Sequence, residues 1–319
     1  MPDYRLFGGI LRSEVVLPDL TPAPSGERAR WTLARSGEAA RRPAGKPLGS
    51  EPVDAGIEVS LYRSGDSLTL VFDDTGVFEI SGDGSRITWT PPPDPDLDAV
   101  TKDILSRVFS VALHQENILT LHGSAVALGN AAVAFLAPKF HGKSTTAAAL
   151  VNTGGRFLSD DVVAVRGGIE PTVVPSAPVL QLWKDSAIRV GRAAPGNGGP
   201  EPKLRMTLEG SERDLGSAVP LAAVYLLAPG RPDPLAPVNR TRTSGVAAAL
   251  SLLGQTKIGA LLGPAIRARL LGRMVELSDR VPVYRLNIPR DFDRIPELTS
   301  KLWGWHDSTV AQASAAGAI

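Results

Sequence analysis

The feature that most constrains the fold is an apolar run, Ala131 to Leu136, which leads into a short loop and then into an alanine-rich stretch. A continuous apolar run is typical of a strand that is buried on both faces, whereas the stretch from Thr146 to Val151 favours a helix. The loop between them, residues 137–145, reads APKFHGKST and approaches the pattern G-x-x-x-x-G-K-[ST]. This order of strand, loop and helix predicts an α/β fold with a phosphate-binding loop.

The loop supplies the groups that a nucleotide polyphosphate needs. Backbone N–H groups of such a loop, and the N-terminus of the following helix, bind phosphate oxygens, and Gly142 lets the backbone approach closely. We expect Lys143 to reach the β- and γ-phosphates and Ser144 to offer its hydroxyl to Mg²⁺. Ala137 departs from the pattern, which has glycine there. The predicted nucleotide-binding residues are Ala137, Pro138, Lys139, Phe140, His141, Gly142, Lys143, Ser144 and Thr145.

Titratable residues lie on both sides of the loop. His122 is on a predicted strand, Leu119 to Leu128, that pairs with the apolar strand around a tight turn at Gly129-Asn130. Two glycines and a short strand then lead to Asp160 and Asp161. Beside a nucleotide, one carboxylate can hold Mg²⁺ while the other accepts the proton of an attacking hydroxyl. Alone, an Asp-Asp pair is more often a turn or a helix cap, and a single histidine is more often structural.

The overall composition excludes several classes of protein. The chain has no cysteine, which excludes disulfide scaffolds, zinc ribbons, iron–sulfur clusters and thiol nucleophiles. Its 34 basic and 33 acidic residues give a net charge of +1, without the basic surplus of a protein that coats nucleic acid. We therefore expect no nucleic-acid partner. No apolar run reaches the ~18 residues of a membrane span and no signal-peptide pattern occurs, so we also expect no membrane partner and a cytoplasmic location.

A proline-rich segment at residues 91–95, PPPDP, divides the 319 residues. Consecutive prolines force an extended backbone and cannot continue a sheet. Before them, stretches such as Ile57 to Tyr62 alternate between apolar and polar residues, which is typical of strands. The predicted organisation is a β-rich domain over residues 1–95 with a loop-like stretch at 21–54, a second domain over 96–305, and a disordered tail over 306–319.

Taken together, His122, the loop and the Asp-Asp pair resemble the bacterial HPr kinase/phosphorylase family in their order and separation. The resemblance is specific over residues 118–165, and weaker similarity extends it to about residue 303. It implies a P-loop core with a mixed sheet, of the kind also found in phosphoenolpyruvate carboxykinase, beside a smaller N-terminal β-rich domain. Later segments look like the HPr-kinase-like proteins of natural-product clusters, which include lasso-peptide tailoring kinases that phosphorylate a C-terminal serine; these segments are residues 174–186, 281–286 and 289–291.

The resemblance implies a kinase that uses ATP or GTP with Mg²⁺ and phosphorylates a hydroxyl, most often a serine or threonine of a peptide or small protein. It implies that Asp160 accepts the proton of the acceptor hydroxyl and that His122 hydrogen-bonds to that carboxylate and orients it. It also implies that Asp161 helps to hold Mg²⁺ together with Ser144. Lys143 completes the predicted catalytic residues.

A further cation should meet the charge that develops on the transferred group. Lys203 and Arg205 are the candidates, because they follow a loop rich in glycine and proline, residues 191–202, that could close as a lid. An ordinary solvated strand edge explains these two residues equally well.

The chain departs from the HPr kinases in two respects. Thr145 stands where those enzymes have a glutamate, and their glycine- and arginine-rich loop has no clear counterpart here. HPr as the substrate and a phosphorylase activity are therefore not predicted. Two alternatives stay open, namely a small-molecule kinase of a natural-product pathway and a nucleotide-binding regulatory protein without transfer. Assembly into a homo-oligomer also stays open.

Overall fold

The computed structural model describes residues 1–24, 26–54, 56–193, 203–213, 216–229, 237–288 and 291–306. These residues form a nine-stranded sheet, an eight-stranded sheet, a two-stranded ribbon and several helices. The chain is therefore of the α/β type with mixed sheets. The predicted lid at residues 191–202 and the predicted tail at 306–319 lie largely outside the described residues.

The first part of the chain forms the nine-stranded sheet. Its strands are β1 (Asp3–Leu6), β2 (Gly9–Ser13), β3 (Thr21–Pro22), β4 (Trp31–Arg35), β5 (Gly49–Asp54), β6 (Ile57–Ser64), β7 (Ser67–Phe72), β8 (Gly76–Ile80) and β9 (Arg86–Thr90). Their spatial order is β3-β1-β2-β4-β9-β8-β7-β6-β5, and all neighbours are antiparallel except the parallel pairs β2–β4 and β4–β9.

The expectation that residues 21–54 are a loop was wrong, because this stretch contributes β3, β4 and β5. In β4 the sequence WTLAR alternates buried and partly exposed residues, as a strand with one buried face does. The prolines that hid the other two strands, Pro22 and Pro52, lie on the two edge strands, where a missing N–H breaks no internal ladder.

The second sheet carries the apolar strands that follow the prolines. It contains β10 (Leu119–Leu128), β11 (Ala131–Leu136), β12 (Arg156–Ser159), β13 (Val162–Arg166), β14 (Thr172–Val174), β17 (Val219–Pro229), β18 (Asn239–Thr243) and β19 (Val283–Ile288), while β15 (Val179–Trp183) and β16 (Lys203–Thr207) form the separate ribbon. The predicted β10–β11 hairpin is confirmed. Because β11 also pairs in parallel with β17, strands β10, β11, β13, β14 and β17 form a closed ring of pairings.

Helices cover the sheets and connect them. They are α1 (Leu97–Asp103), α2 (Phe109–Gln115), α3 (Lys143–Asn152), α4 (Lys184–Arg189), α5 (Gly245–Gly254), α6 (Pro264–Arg280) and α7 (Ile295–His306). A π-helical turn, Ile104–Val108, joins α1 to α2 without a break. Helix α6 begins at Pro264, since proline is favoured at the first helical position. No helix in the described part of the chain is long and apolar enough to cross a membrane.

One apolar cluster runs from the nine-stranded sheet through α1 and α2 into the second sheet. The ring of Phe109 contacts Phe7 at a centroid distance of 5.7 Å and meets Trp31 edge-on at 5.5 Å. A second apolar cluster surrounds α3 between the ribbon, β11, β17 and α7. The helix that follows the proline segment therefore packs the two large sheets onto a shared core.

Candidate active site

The loop of residues 137–142 connects the carboxyl end of β11 to the N-terminus of α3, in the order that the sequence predicts. Gly142 has a φ of +82°, in the left-handed region, and its carbonyl accepts the first helical hydrogen bond, from Thr146 at 2.8 Å. Ala137 is buried and does not have a positive φ, so alanine is tolerated where the pattern has glycine. Gly142 provides no side-chain cap, and the first-turn N–H groups of a helix have no acceptor within the helix, so the N-terminus of α3 can bind phosphate oxygens.

Lys143 folds back onto its own loop. Its Nζ donates to the carbonyl oxygens of Ala137 at 2.8 Å and Pro138 at 2.9 Å, and the residue is only 7% exposed. Burial lowers the pKa of Lys143 to about 8, although Asp160 and Asp161 act in the opposite direction. The ammonium group is thus held inside the loop, where a bound anionic ligand would offset the free-energy cost of burying its charge.

The two aspartates occupy a tight turn between β12 and β13. Asp160 Oδ1 accepts hydrogen bonds from Ser124 Oγ at 2.6 Å and Ser144 Oγ at 2.9 Å, and Oδ2 accepts the backbone N–H of Gln181 at 3.0 Å. These donors come from β10, the start of α3 and β15. They fix the Asp160 carboxylate against the phosphate-binding loop.

Asp161 faces a different set of partners. Its backbone has a φ of +70°, which is unusual for a residue other than glycine. Lys257 Nζ lies 2.7 and 2.8 Å from its two carboxylate oxygens, Ser106 Oγ donates to Oδ2 at 2.8 Å, and His122 Nδ1 lies 3.3 Å from Oδ1. Burial alone would raise the pKa of Asp161, but Lys257 and His122 outweigh it and hold the pKa well below the ordinary value. Asp161 is therefore ionised at neutral pH.

The contacts of the two aspartates are the reverse of those expected from the sequence. We expected His122 to bond to Asp160, and Asp161 to act beside Ser144, but Ser144 contacts Asp160 and His122 contacts Asp161. The reason is local, because the left-handed backbone of Asp161 sends the two consecutive side chains to different sides of the turn.

Lys203 and Arg205 lie on β16, which pairs with β15 over the loop. Lys203 lines a cavity of about 110 Å³ together with His122, Lys139, Lys143, Asp160 and Asp161, and its Nζ lies 5.4 Å from the ring centre of Trp183. Arg205 pairs with Asp19 and lines a separate pocket on the other side of the aspartates. The structure thus brings Lys203 to the loop before α3, whereas Arg205 has a carboxylate partner of its own, Asp19.

The interior of the loop borders a larger cavity of about 320 Å³. Phe140 is 73% exposed to solvent and stacks on Trp183 at 5.1 Å, at the mouth of this cavity. His141 Nδ1 bonds to the carbonyl oxygen of Lys139 at 2.7 Å. Thr145, which takes the place of the expected glutamate, also lines the cavity. Its apolar walls and aromatic rim suit a flat heterocycle attached to a phosphate chain.

Two residues around Asp161 were missed by the sequence analysis. Lys257 follows α5, and its neighbourhood is fastened to β10 by Lys257 N–H to Thr120 O at 2.9 Å and His122 N–H to Gln255 O at 2.7 Å. No motif marks this lysine, which lies 96 residues from its partner. Ser106 lies 55 residues from Asp161 and is equally unmarked.

Ser124 was also missed, although the sequence carried a signal for it. It is two residues after His122 on the same predicted strand, so the two side chains point to the same face of β10. A hydroxyl at that position faces the same turn of the chain as the histidine.

Ser144 and Asp160 fit a Mg²⁺–nucleotide complex. Their oxygens are 2.9 Å apart at the first turn of α3, and hydroxyl and carboxylate oxygens are ligands that Mg²⁺ accepts when water and phosphate oxygens complete the shell. Among the described residues, no group of three or more histidines or acidic residues could hold a metal ion by itself.

No protein-family model matches this chain, and no curated protein matches it either. Among solved structures, the chain is similar to an HPr(Ser) kinase/phosphatase from Coxiella burnetii, with 13% sequence identity and a TM-score of 0.32. The similarity covers 62% of this chain and 97% of the other.

Proposed function

We propose that this protein is a kinase that transfers the γ-phosphoryl group of a Mg²⁺-bound nucleoside triphosphate to a hydroxyl group of a peptide or small protein. The observation that carries the proposal is the turn between β12 and β13. One carboxylate of this turn contacts Ser144 of the phosphate-binding loop, and the next one, ionised, lines the same cavity as Lys143. Nucleotide binding alone requires the first carboxylate, whereas transfer to a hydroxyl also requires the second.

The phosphates bind at the N-terminus of α3. Lys143 exchanges its contacts with the carbonyls of Ala137 and Pro138 for oxygens of the β- and γ-phosphates. Ser144 and Asp160 would hold Mg²⁺, which neutralises charge on the β- and γ-phosphates when bound. Lys139 and Lys203 add two further positive charges to the same cavity. This arrangement concentrates positive charge where the transferred group becomes more negative.

Asp161 orients the acceptor. Its carboxylate accepts a hydrogen bond from the acceptor hydroxyl, whose oxygen then forms a bond to the γ-phosphorus. The bond between the γ-phosphorus and the β–γ bridging oxygen breaks, the nucleoside diphosphate leaves, and the hydroxyl proton passes to Asp161. A carboxylate of low pKa suits this role because the transition state of phosphoryl transfer is loose and requires positioning more than a strong base. His122 and Lys257 hold the carboxylate in place.

Transfer of label tests the proposal. The protein is incubated with Mg²⁺ and γ-labelled ATP or GTP, and with a degenerate library of serine- and threonine-containing peptides. Label on peptide from the wild-type protein is the expected result. The Lys143→Ala variant should lose it, while substitution of an exposed lysine on α7, Lys301→Ala, should not.

Two other outcomes would redirect the proposal. Label on small hydroxylated compounds but not on peptides would indicate a small-molecule kinase. Tight nucleotide binding without transfer to any acceptor would contradict the proposal and indicate a regulatory protein.

A further inference from the structure

Asp161 receives one of its hydrogen bonds from the helix that follows the proline-rich segment. Ser106 Oγ donates to Asp161 Oδ2 at 2.8 Å, and Ser106 lies in the π-helical turn Ile104–Val108 that joins α1 to α2. A π turn inserts one extra residue into a helix and is rare, and such insertions recur at functional sites. Here the insertion is placed where the helix passes the left-handed turn at Asp161.

The same turn of helix is tied to the nine-stranded sheet on both sides of Ser106. Three residues before it, Asp103 at the end of α1 accepts a hydrogen bond at 2.7 Å from Thr75 Oγ1, in the turn between β7 and β8. One residue after it, Arg107 Nε donates to Glu51 of β5 at 2.5 Å, and both side chains of this pair are more than four-fifths buried. The serine is thus held between two polar links to the sheet.

The far end of the helix is anchored as well. Glu116, just beyond α2, accepts a hydrogen bond from Trp31 Nε1 at 2.5 Å and pairs with Arg30. Together with the links at Asp103 and Arg107 and the packing of Phe109 on Trp31, these contacts hold the helix at four points along its length. A helix held in this way has little freedom to slide, so the position of Ser106 is set by the sheet.

We propose that the nine-stranded sheet positions the acceptor-side carboxylate, by holding the π turn that presents Ser106 to Asp161. Ser106 is a positioning residue in this account, because it acts on the acceptor through Asp161. The inference rests on the proposed function. It gives the N-terminal part of the chain a role in the transfer step, although that part carries none of the nucleotide-binding residues.

The test compares four variants. Ser106→Ala removes the donor, Ser106→Thr keeps it, and Glu51→Gln weakens the link between the sheet and Arg107. Glu27→Gln weakens an exposed pair with Arg5 that does not touch the helix, and it serves as the matched control. The probe reaction is the release of phosphate from Mg²⁺–ATP, in which water takes the place of the acceptor hydroxyl. The dissociation constant of a fluorescent ATP analogue is measured in parallel.

We expect Ser106→Ala to lower the turnover number by roughly 10- to 100-fold, the range for losing one hydrogen bond to a charged group, with nucleotide affinity unchanged. Ser106→Thr should recover most of the loss, Glu51→Gln should show a smaller fall in turnover only, and Glu27→Gln should match the wild type. Wild-type turnover in Ser106→Ala would overturn the inference. A loss in Ser106→Ala without any loss in Glu51→Gln would overturn the role of the sheet.

A second readout does not depend on activity. Hydrogen exchange of the backbone amides of residues 160–162 should be faster in Ser106→Ala than in the wild type or in Glu27→Gln, at equal global stability. If the wild-type protein binds nucleotide but transfers no phosphoryl group to peptide or to water, the proposed function fails, and this measurement still decides the inference. Unchanged exchange in Ser106→Ala would overturn it.

Discussion

At the scale of single residues, Asp161 depends on a lysine from a distant part of the chain. Lys257 contacts both carboxylate oxygens, and its side chain is only 8% exposed. Lys257→Met would leave the Asp161 carboxylate without its main counter-charge. Because the side chain of Asp161 is 34% exposed, the cost is lower than for a fully buried pair, about 1–3 kcal/mol of stability. We expect urea unfolding to show a loss of this order and transfer to fall at saturating nucleotide. Lys257→Arg should recover part of both, and unchanged stability and transfer in Lys257→Met would contradict the assignment.

Asp103 gives a pH-dependent prediction at the same scale. Burial raises the pKa of Asp103 from 3.8 to about 6, although its hydrogen bond from Thr75 acts in the opposite direction. The folded state therefore binds the proton of the Asp103 carboxyl more tightly than the unfolded state does. This protonation stabilises the folded protein fully below about pH 4, and the stabilisation is lost as the pH rises through about 6. A shift of this size corresponds to about 3 kcal/mol.

Asp103→Asn removes this titration but keeps an oxygen that can accept from Thr75. Relative to the wild type, the free energy of unfolding of the variant should therefore increase by about 2–3 kcal/mol between pH 4 and pH 7. Urea titrations at four pH values in this range measure the difference. A constant difference across the range would show that Asp103 does not titrate as described.

At the scale of elements, the candidate phosphate-binding loop depends on one glycine. Gly142 has a φ of +82°, and a Cβ added there would meet no other atom within 4 Å. Gly142→Ala should therefore cost about 1–2 kcal/mol through backbone strain rather than through a clash, and it should weaken nucleotide binding. Gly272, in the middle of α6, also has open space but no positive φ, so that Gly272→Ala should stabilise the protein by about 0.5–1 kcal/mol. Thermal unfolding of both variants measures whether Gly142→Ala lowers the stability while Gly272→Ala raises it. Equal effects of the two substitutions would contradict the strain argument.

Some of the strands and helices could be predicted from the sequence and others could not. The hairpin of β10 and β11, the loop and α3 were predictable because each has a strong local signal, namely a continuous apolar run, the Gly-Lys-Ser motif and an alanine-rich stretch. Strands β3 and β5 were missed because their prolines are acceptable only at a sheet edge, and edge position is a property of the whole sheet.

The residues of the candidate site likewise fall into those that the sequence could predict and those that it could not. Lys143, Ser144 and the Asp160-Asp161 pair could be found because they belong to short motifs. Lys257 and Ser106 could not, because they reach Asp161 only after the chain has folded. The partners of the two aspartates, Ser144 for Asp160 and His122 for Asp161, depend on the φ of Asp161, and the Asp-Asp motif does not specify that angle.

At the scale of the whole molecule, the shared core predicts cooperative unfolding. The sequence predicts separate domains on the two sides of residues 91–95, but one apolar cluster runs through both sheets, with Phe109 packed between Phe7 and Trp31. We expect a single urea transition in which tryptophan fluorescence and far-UV circular dichroism coincide. Two separated transitions would show that the parts on either side of the prolines unfold independently.

The central claim is that the two neighbouring aspartates do different work, Asp160 with the metal and Asp161 with the acceptor. The most direct test is a single-turnover measurement of phosphoryl transfer from prebound Mg²⁺–ATP in the Asp161→Asn variant. We expect nucleotide to bind with wild-type affinity and transfer to be slower by about 10²- to 10⁴-fold. Transfer at the wild-type rate, with equal nucleotide affinity, would contradict this account of the site.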